Sequence, residues 1–477
     1  MLTKILNNLK KYPDDECYQI EDKIYKNKDL YKYICNIYNY LLKNNESKRP
    51  VIVKGNKQIY MVASFIACSM AGFTYVPIDE EIPKEREMKI IKQVQPKLII
   101  DETIEKIMEK DNPKDIEEIY LKDEDIYYII FTSGTTGEPK GVKITYRNLK
   151  SCMEWLEEIC EIKQSVVLNQ ANFSFDLSVA DLYLPLLTRS KHYILEKKTL
   201  KNYPELFKEL ARSNIELMVA TPSFVDLLLI DKSFNKKLMP NLKKILLCGE
   251  KLGESTVSKL WERFENLEII NCYGPTECTF AVTWDKVKRN EKISIGKPKK
   301  DVKIFIVDEN LREIKENEVG EILITGESVG RGYLKPEFNK DAFIEFNGEK
   351  AYLTGDLGYK RKDKFYCLGR KDKQVKYKGY RIEISEIEAA LSKLKFIEKA
   401  VVIVDYDDTK KVNKIIAFVK EKEENMKSSK EIREKLKNYL PYYMIPVIRI
   451  LEQFPLNVNG KVDEKKLLEM CRWKMKY

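Results

Sequence analysis

Residues 128–142 form a segment that could bind phosphate, and its sequence reads YIIFTSGTTGEPKGV. Small residues let backbone N–H groups point at an anion, hydroxyls add donors, and a lysine adds positive charge. The candidate anion-binding residues are Thr132, Ser133, Gly134, Thr135, Thr136, Gly137 and Lys140. The alternative is a mobile turn, which glycine-rich segments often form. The segment lacks the Gly-Lys-Ser/Thr ending of P-loops and the G-x-G-x-x-G spacing of dinucleotide folds, so it indicates a third kind of phosphate chemistry.

Short apolar runs alternate with helical patterns through the part of the chain before Val302. The predicted strands are residues 51–53, 98–100, 127–131, 165–168, 217–220, 244–247 and 267–270. This alternation indicates βαβ units and largely parallel sheets.

The pattern changes from Val302 onward. Apolar runs at 303–307 and 321–324 flank acidic turns, which predicts an antiparallel or barrel-like piece. Beyond Gly369, the predicted elements of a small α+β unit are a helix at 383–394, strands at 400–404 and 415–419, and a helix at 430–439. The predicted fold class is therefore α/β: a large N-terminal domain of βαβ-type subdomains plus a small barrel-like piece, followed by a small α+β C-terminal domain.

Length and composition exclude several classes of protein. With 477 residues, 43% of them hydrophobic, the chain exceeds one compact core and predicts two or more domains. Its net charge of +10 comes from 85 basic and 75 acidic residues that are interleaved, so we infer no nucleic-acid partner. The N-terminus has no apolar signal segment, and no run approaches the ~20 apolar residues of a membrane span. We therefore expect a cytoplasmic protein without membrane insertion.

Cysteine and histidine usage narrows the chemistry further. The ten cysteines are scattered without a C-x-x-C pair, which indicates reduced thiols rather than disulfides or zinc ligands. The chain contains one histidine, His192. Mechanisms that need a histidine base or several histidine metal ligands are therefore nearly excluded.

Further motifs follow in order along almost the whole chain. They are AGFTYVPID (71–79), FDLS (175–178), NCYGPTE (271–277), GE (320–321), GRGYL (330–334), YLTGD (352–356), GRKD (369–372), KGYRIE (378–383), LPYYMIP (440–446) and NGKVD (459–463). With the phosphate segment, this series resembles the adenylate-forming superfamily, and specifically the amino-acid adenylation domains of carrier-protein systems. Any one motif could arise by chance, whereas the ordered series is specific.

The resemblance implies a reaction in which a carboxylate attacks the α-phosphate of ATP, so the repulsion of two anions must be cancelled. The hydroxyl and glycine residues 132–137 and Lys140 would then bind ATP. Lys461, in a tight Asn-Gly turn, is implied to be the catalytic lysine that bridges the substrate carboxylate and the α-phosphate. Without Asn459 and Gly460 before it, Lys461 would be one solvated lysine among many.

The same resemblance assigns the other nucleotide contacts. Thr276 matches the hydroxyl that contacts the α-phosphate, and Asp356 matches the residue that accepts both ribose hydroxyls. Arg370 is implied to lie nearby, and Tyr273 to stack on adenine. Glu277 matches the carboxylate that holds Mg²⁺, because a carboxylate beside phosphate requires a cation between them. ATP and Mg²⁺ are the expected cofactors.

Asp372 matches the family's hinge between two domains. The predicted boundaries are a large adenylation domain at 1–369, a hinge at 370–372 and a small C-terminal domain at 373–477 that carries the catalytic lysine. In this family the small domain is mobile and rotates after adenylation, so one site performs two half-reactions. The alternative for Asp372 is a plain surface turn, since Gly-Arg-x-Asp is less distinctive than the phosphate segment.

Asp176 governs the predicted substrate class. It resembles the acid that pairs with the α-ammonium of an amino acid, whereas a fatty or aryl acid would gain nothing from a desolvated carboxylate there. The remaining pocket positions align by motif with apolar or weakly polar residues, which should reject a charged side chain. They are Leu177, Ala180, Val219, Leu246, Cys248, Cys272, Phe280 and Ala281.

Within the superfamily, the segments 169–183, 247–250 and 354–359 are most similar to D-alanine:D-alanyl carrier protein ligases of Gram-positive teichoic-acid modification. Cys272 matches the position associated with D-alanine preference. Two departures are Ala180, where that group usually has methionine, and Phe280, where a smaller aliphatic residue is usual. The chain has no Gly-Gly-x-Ser attachment site, so we expect a separate acidic, phosphopantetheinylated carrier protein as partner.

Three other functions stay open at this point. One is a stand-alone adenylation enzyme for another small amino acid in a nonribosomal peptide-type pathway. The second is an acyl-CoA synthetase, against which Asp176 argues. A non-catalytic nucleotide-binding protein is the third, and Lys140, Glu277, Asp356 and Lys461 argue against it.

Overall fold

The computed structural model describes residues 1–45, 47–111, 113–134, 137–407, 411–422, 427–455 and 462–473. Residues 471–473 are described without their side chains. The chain divides into two compact units. The first unit comprises Met1–Glu80, Ile91–Phe131 and Lys140–Lys371. The second comprises Glu81–Ile90, Thr132–Pro139 and Asp372–Tyr477. The domain boundaries at 369 and 372 stay a prediction.

The α-helices of the described chain lie mostly in the first unit. They are α1 (Leu2–Lys11), α2 (Asn27–Asn44), α3 (Ile59–Met70), α4 (Lys84–Val94), α5 (Glu105–Met108), α6 (Tyr146–Cys160), α7 (Ser178–Thr188), α8 (Lys197–Leu200), α9 (Tyr203–Arg212), α10 (Pro222–Leu229), α11 (Glu254–Arg263), α12 (Ile384–Ser392), α13 (Ser429–Leu436) and α14 (Glu464–Trp473). Short 3₁₀ turns occur at Glu102–Ile104, Thr276–Cys278, Pro336–Phe338 and Tyr442–Met444.

The strands alternate with these helices before residue 302 and dominate after it. They are β1 (Glu16–Ile20), β2 (Lys23–Lys26), β3 (Val51–Gly55), β4 (Tyr75–Asp79), β5 (Leu98–Ile100), β6 (Ile126–Thr132), β7 (Lys140–Thr145), β8 (Val166–Asn169), β9 (Lys191–Ile194), β10 (Leu217–Ala220), β11 (Lys244–Leu247), β12 (Glu268–Tyr273), β13 (Thr283–Lys286), β14 (Lys297–Pro298), β15 (Val302–Val307), β16 (Gly320–Gly326), β17 (Phe343–Phe346), β18 (Glu349–Arg361), β19 (Lys364–Arg370), β20 (Gln374–Tyr377), β21 (Tyr380–Glu383), β22 (Ile397–Tyr406), β23 (Val412–Glu421) and β24 (Val447–Ile450).

A nine-stranded sheet of order β14-β13-β12-β11-β10-β8-β9-β1-β2 forms the middle of the first unit. Its central strands β12, β11, β10, β8 and β9 run parallel, and β1 continues the parallel pairing from β9. Every residue of β10 is buried, as expected for a parallel strand covered on both faces.

A second sheet of the first unit has the order β5-β3-β4-β6-β7, in which β3 pairs in parallel with β4 and β5. Helix α3 packs close to it and is buried along its whole length, because its sequence is apolar all round. A third sheet has the order β15-β16-β18-β17, with β19 also paired to β18, and is antiparallel throughout.

The second unit has its own core. The strands β20 and β21 form an antiparallel pair, and the sheet β22-β23-β24 combines one antiparallel and one parallel pairing. Helix α12 contributes Ile387 and Leu391 to this core, and α13 contributes Ile432 and Leu436. A capping box between Ser428 and Glu431 begins α13.

The α/β prediction is confirmed, and so are parallel strands before Val302 and antiparallel strands after it. The predicted helix at 383–394 begins one residue later, since Glu383 ends strand β21. No helix in the described part of the chain combines the length and the apolar character that crossing a membrane requires.

His192 lies on β9 and is fully buried, with its ring nitrogens 2.8 Å from the carbonyl oxygens of Cys17 and Leu182. Burial lowers the pKa of His192 below its usual 6.5, outweighing the opposite influence of the two carbonyls. The unfolded chain therefore binds the proton at higher pH than the folded chain. Stability linked to neutral His192 is present above pH 6.5 and is lost as the pH falls toward the folded pKa.

Because His192 is the sole histidine, one imidazole Cε1–H resonance should titrate in the folded protein, with a midpoint below pH 6.5. Urea unfolding measured from pH 6.5 downward should show a smaller loss of unfolding free energy for His192→Gln than for the parent protein. A resonance that titrates at or above 6.5 would contradict this assignment.

Candidate active site

The carboxyl ends of β8, β10, β11 and β12 define the candidate site of the first unit. Parallel strands of one sheet end at the same edge, and ligands of open α/β sheets bind outside these ends. Asp176 follows β8, Cys248 follows β11, and Thr276 and Glu277 follow β12. These predicted substrate-binding and nucleotide-binding residues therefore lie in segments that follow strands of the same parallel sheet.

The eight predicted pocket-lining residues all belong to one buried apolar cluster. Val219 on β10 pairs directly with Leu246 on β11, so both side chains point to the same face of the sheet. Met218 and Ile245, which precede them on the two strands, belong to a different apolar cluster on the opposite face of the sheet. The eight residues, which share this cluster with many others of the first unit's main core, are Leu177, Ala180, Val219, Leu246, Cys248, Cys272, Phe280 and Ala281.

Asp176 is a buried carboxylate, 7% exposed, at the turn that precedes α7. Its carbonyl oxygen accepts a hydrogen bond from Val179 N at 3.0 Å, which fixes its backbone at the helix start. Burial is the main cause that raises the pKa of the Tyr128 hydroxyl, and the negative charge of Asp176 adds to it. Asp176 is thus a buried carboxylate within electrostatic reach of Tyr128.

Phe280 of the predicted pocket and the residue before it, Thr279, have left-handed backbone conformations. Thr279 has a φ of 58° and Phe280 a φ of 71°, although neither is glycine. Close by, a Cβ on Gly274 would lie 2.5 Å from Ala281 Cα, so only glycine fits this approach of two backbone segments. Strained backbone of this kind persists where the surrounding structure over-determines it, which is common at ligand sites.

Asp356, Tyr273 and Arg370 form a buried polar cluster. The Tyr273 hydroxyl donates to Asp356 Oδ2 at 2.6 Å, and Arg370 Nη1 donates to Asp356 Oδ1 at 3.1 Å. Asp356 and Arg370 face each other across β18 and β19, so strand register brings them together. Arg370 Nη1 also donates to the Thr354 carbonyl at 2.9 Å. Burial raises the pKa of Tyr273, and nearby Asp356 raises it further, so the hydroxyl stays a donor.

Glu277 is fully buried, and its Oε1 accepts a hydrogen bond from the Tyr333 hydroxyl at 2.7 Å. The Glu277 carbonyl accepts from Gly330 N at 2.8 Å, which joins the 3₁₀ turn to the segment that contains Tyr333. Lys140 Nζ lies 5.5 Å from the centre of the Tyr333 ring. Tyr333 therefore links two predicted site residues, Lys140 and Glu277, that lie far apart in sequence.

Tyr333 was absent from the predicted site residues. It belongs to the GRGYL motif, which sequence analysis recognised without assigning a role to its members. The signal that could have identified it is a tyrosine within a glycine-rich turn, a position more often occupied by a small polar residue.

The phosphate segment of the second unit is held at three points. Arg86 Nη2 donates to the Thr132 carbonyl at 3.4 Å, and Ser133 Oγ donates to the Arg381 carbonyl at 2.7 Å. Lys89 Nζ donates to the Gly137 carbonyl at 2.9 Å. Gly137 N donates to the Gly134 carbonyl at 3.0 Å and has a φ of 73°, as a tight turn through glycine requires.

Three predicted site residues, Thr135, Thr136 and Lys461, lie outside the described residues. Asp372 accepts a hydrogen bond from Gln374 N at 3.1 Å, where β20 begins. Its assignment as a hinge stays a prediction.

Comparisons with known proteins agree with this arrangement. The family model of AMP-binding enzymes matches residues 6–334, and the model of the AMP-binding enzyme C-terminal domain matches residues 386–461. The chain therefore belongs to the AMP-binding enzyme family.

Its relatives within the family include D-alanine–D-alanyl carrier protein ligases. The one from Listeria monocytogenes serovar 1/2a is 36% identical, covering 98% of this chain and 99% of that protein. The one from Bacillus licheniformis is 37% identical, covering 88% of this chain and 89% of that protein.

Solved structures share the fold. The adenylation domain AlmE from Vibrio cholerae, in complex with glycyl-adenosine-5'-phosphate, has a TM-score of 0.86 and 21% identity, covering 98% of this chain and 97% of that chain. The o-succinylbenzoate CoA synthetase from Bacillus subtilis has a TM-score of 0.82 and 19% identity, covering 98% of both chains. Because both an amino-acid and a CoA enzyme share the fold, the fold alone does not define the substrate.

Tyr273→Phe should weaken AMP binding about tenfold, because it removes a hydrogen bond to a buried carboxylate and leaves an oxygen of Asp356 with one donor fewer. Isothermal titration calorimetry with AMP measures this. Tyr359→Phe is the matched control on β18, the strand of Asp356, since the Tyr359 hydroxyl accepts a hydrogen bond from exposed Lys292 at 3.0 Å. AMP binding equal to that of the parent protein would show that Tyr273 and Asp356 do not form the nucleotide site.

Proposed function

We propose that the protein activates a small amino acid, with D-alanine favoured, as an aminoacyl-AMP. In the first step a substrate carboxylate oxygen bonds to the α-phosphorus of ATP, and the bond to the β,γ-phosphates breaks to release pyrophosphate. In the second step the thiol of a phosphopantetheine group on a separate acidic carrier protein attacks the acyl carbon. The thiol loses its proton, a thioester forms, and AMP leaves.

The observation that carries this proposal is the burial of the Asp176 carboxylate, together with the apolar or weakly polar character of the eight predicted pocket residues, which all lie in the apolar core of the same unit. A buried carboxylate favours a ligand that bears an ammonium group. The apolar or weakly polar residues at the predicted pocket positions favour an uncharged substrate side chain. The naming of the relatives as D-alanine–D-alanyl carrier protein ligases, at 36% identity over nearly their whole length, supports the same substrate.

The nucleotide would be held by residues of both the strand ends and the antiparallel sheet. Asp356 is a fixed acceptor for ribose hydroxyls, because Tyr273 and Arg370 hold both of its oxygens. Thr276 would donate to the α-phosphate, and Lys140 would supply positive charge to the phosphates. We assign Lys461, on the basis of the sequence motif, to neutralising the two anions during their approach.

Glu277 fits a magnesium ion as a single oxygen ligand. It is buried, and Tyr333 orients its Oε1 by a hydrogen bond. The described residues contain no cluster of three or more His, Cys, Asp or Glu suited to a metal. Mg²⁺ commonly takes one or two protein carboxylates and completes its shell with phosphates and water. When bound, the ion would neutralise charge on the ATP phosphates.

The second candidate function is that of an acyl-CoA synthetase, because the o-succinylbenzoate CoA synthetase from Bacillus subtilis shares the fold. Asp176 argues against it, since a CoA-ligated fatty or aryl acid has no ammonium group to compensate a buried carboxylate.

Amino-acid-dependent exchange of pyrophosphate into ATP tests the proposed function directly. With D-alanine, L-alanine, glycine and serine tried in turn, we expect the fastest exchange with D-alanine and none without an amino acid. A reaction with propionate, which lacks the ammonium group, is the negative substrate control. Exchange that requires no amino acid, or that occurs with none of them, would reject the proposal.

Asp176→Asn should raise the KM for the amino acid at least about tenfold, because it removes one partner of a desolvated charge pair. The KM for ATP should change little, since Asp176 belongs to the amino-acid part of the site. Steady-state pyrophosphate exchange, varied separately in each substrate, measures both constants. An unchanged KM for the amino acid would remove Asp176 from substrate recognition.

A further inference from the structure

Lys57 is a buried lysine that none of the motifs includes. It follows β3 and is 1% exposed. Its Nζ donates to the carbonyl oxygens of Asn169 at 3.2 Å, Gln170 at 2.5 Å and Leu195 at 3.3 Å. An ammonium group has three N–H donors, and all three are directed at backbone carbonyls just where β8 and β9 end.

Asp181 holds the same segment from its other side. It lies on α7, fully buried, and accepts from Asn169 Nδ2 at 2.8 Å and from Gln170 N at 3.3 Å. The carbonyl oxygens of Asn169 and Gln170 thus accept from Lys57, whereas the Asn169 side-chain amide and the Gln170 backbone N–H donate to the Asp181 carboxylate. Burial lowers the pKa of Lys57 to about 7 and raises the pKa of Asp181, while each group's charge opposes the shift of the other.

These contacts close a loop that contains Asp176. The chain leaves β8 at Asn169, turns at Asp176, and returns to Asp181, which bonds back to residues 169 and 170. Within the loop, Phe175 N donates to the Asn172 carbonyl at 2.9 Å, and Ser178 Oγ donates to the Phe175 carbonyl at 2.7 Å. The position of the Asp176 carboxylate therefore depends on the base of the loop.

The segment around Lys57 also borders the loop itself. A narrow cleft separates the two, and its lining residues are Gly55, Asn56, Lys57, Met61, Ile78, Asp79, Asn172, Phe173 and Ser174. Phe173, which continues into the main apolar cluster, leaves the loop little room to shift.

We propose that Lys57, braced by Asp181, is a positioning residue for amino-acid binding: it holds the base of the loop so that the Asp176 carboxylate meets the substrate ammonium. The proposal rests on the proposed function and adds to it a residue that touches neither substrate nor nucleotide. A methionine of similar length fills the space of Lys57 but leaves three buried carbonyls without their donor.

Lys57→Met should raise the KM for the amino acid about tenfold or more, while the KM for ATP changes less than about twofold. A displaced Asp176 weakens only the interaction with the ammonium group, whereas a general loss of folded protein would lower kcat and leave both KM values unchanged. Pyrophosphate exchange, varied separately in D-alanine and in ATP, measures this separation. An unchanged KM for D-alanine overturns the proposal.

The double variant Lys57→Met/Asp181→Asn removes both charges and keeps the test available if the single variant does not fold. If Lys57 positions the loop, the double variant should recover thermal stability relative to Lys57→Met, yet keep the raised KM for D-alanine. Recovery of a normal KM would show that Lys57 only balances the charge of Asp181, and would overturn the proposal.

Lys244→Met is the matched control. Lys244 begins β11, at the opposite ends of the parallel strands from Lys57, and its Nζ also donates to a backbone carbonyl, that of Cys160, at 2.6 Å. It should lower the melting temperature without changing the KM for D-alanine, and an equal rise in KM would overturn the specific role of Lys57. If the parent protein shows no amino-acid-dependent exchange, the proposed function fails. If the parent protein is active and Lys57→Met has the same KM for D-alanine, the proposed function stands and only the role of Lys57 fails.

Discussion

The arrangement of the first unit depends on one constraint: its central strands run parallel and so end at a common edge. Each strand that ends there leaves carbonyl groups without a partner in the sheet, and these must be satisfied by other groups. Lys57 donates to three carbonyls at this edge, although that of Asn169 also accepts from Leu195 N, and the segments that leave β8, β11 and β12 carry the predicted site residues. The edge at which the parallel strands end therefore also contains predicted site residues.

Buried acids recur at this edge, and each has a different environment. Asp356 is held by Tyr273 and Arg370, Glu277 by Tyr333, and Asp181 by an asparagine and a backbone N–H. Asp176 is also buried, and its charge contributes to the raised pKa of Tyr128. A carboxylate held by fixed donors serves as a defined acceptor. These differences in surroundings distinguish roles that the residue types alone do not.

The strands could be predicted from sequence because apolar runs bounded by turns follow short-range rules, and such runs identified β10, β11 and β12. Val219 and Leu246 were assigned to the pocket from the family resemblance, and the structure pairs them across β10 and β11. Lys57 could not be predicted, because a single lysine is usually solvated and its partners lie more than a hundred residues away. Nor could the left-handed conformations of Thr279 and Phe280, since both residues disfavour them locally and only tertiary packing imposes them.

That left-handed pair has a consequence for how the protein could change over evolutionary time. Thr279 and Phe280 adopt a backbone conformation that both residues locally disfavour. This conformation is therefore maintained by the surrounding fold rather than by the turn itself. Glycine at these positions would relieve the strain, but it would also remove the buried Phe280 ring and the hydrogen bond that Thr279 Oγ1 donates to the Ser328 carbonyl. Selection could therefore not relax this backbone without also losing the packing and the hydrogen bond that hold it.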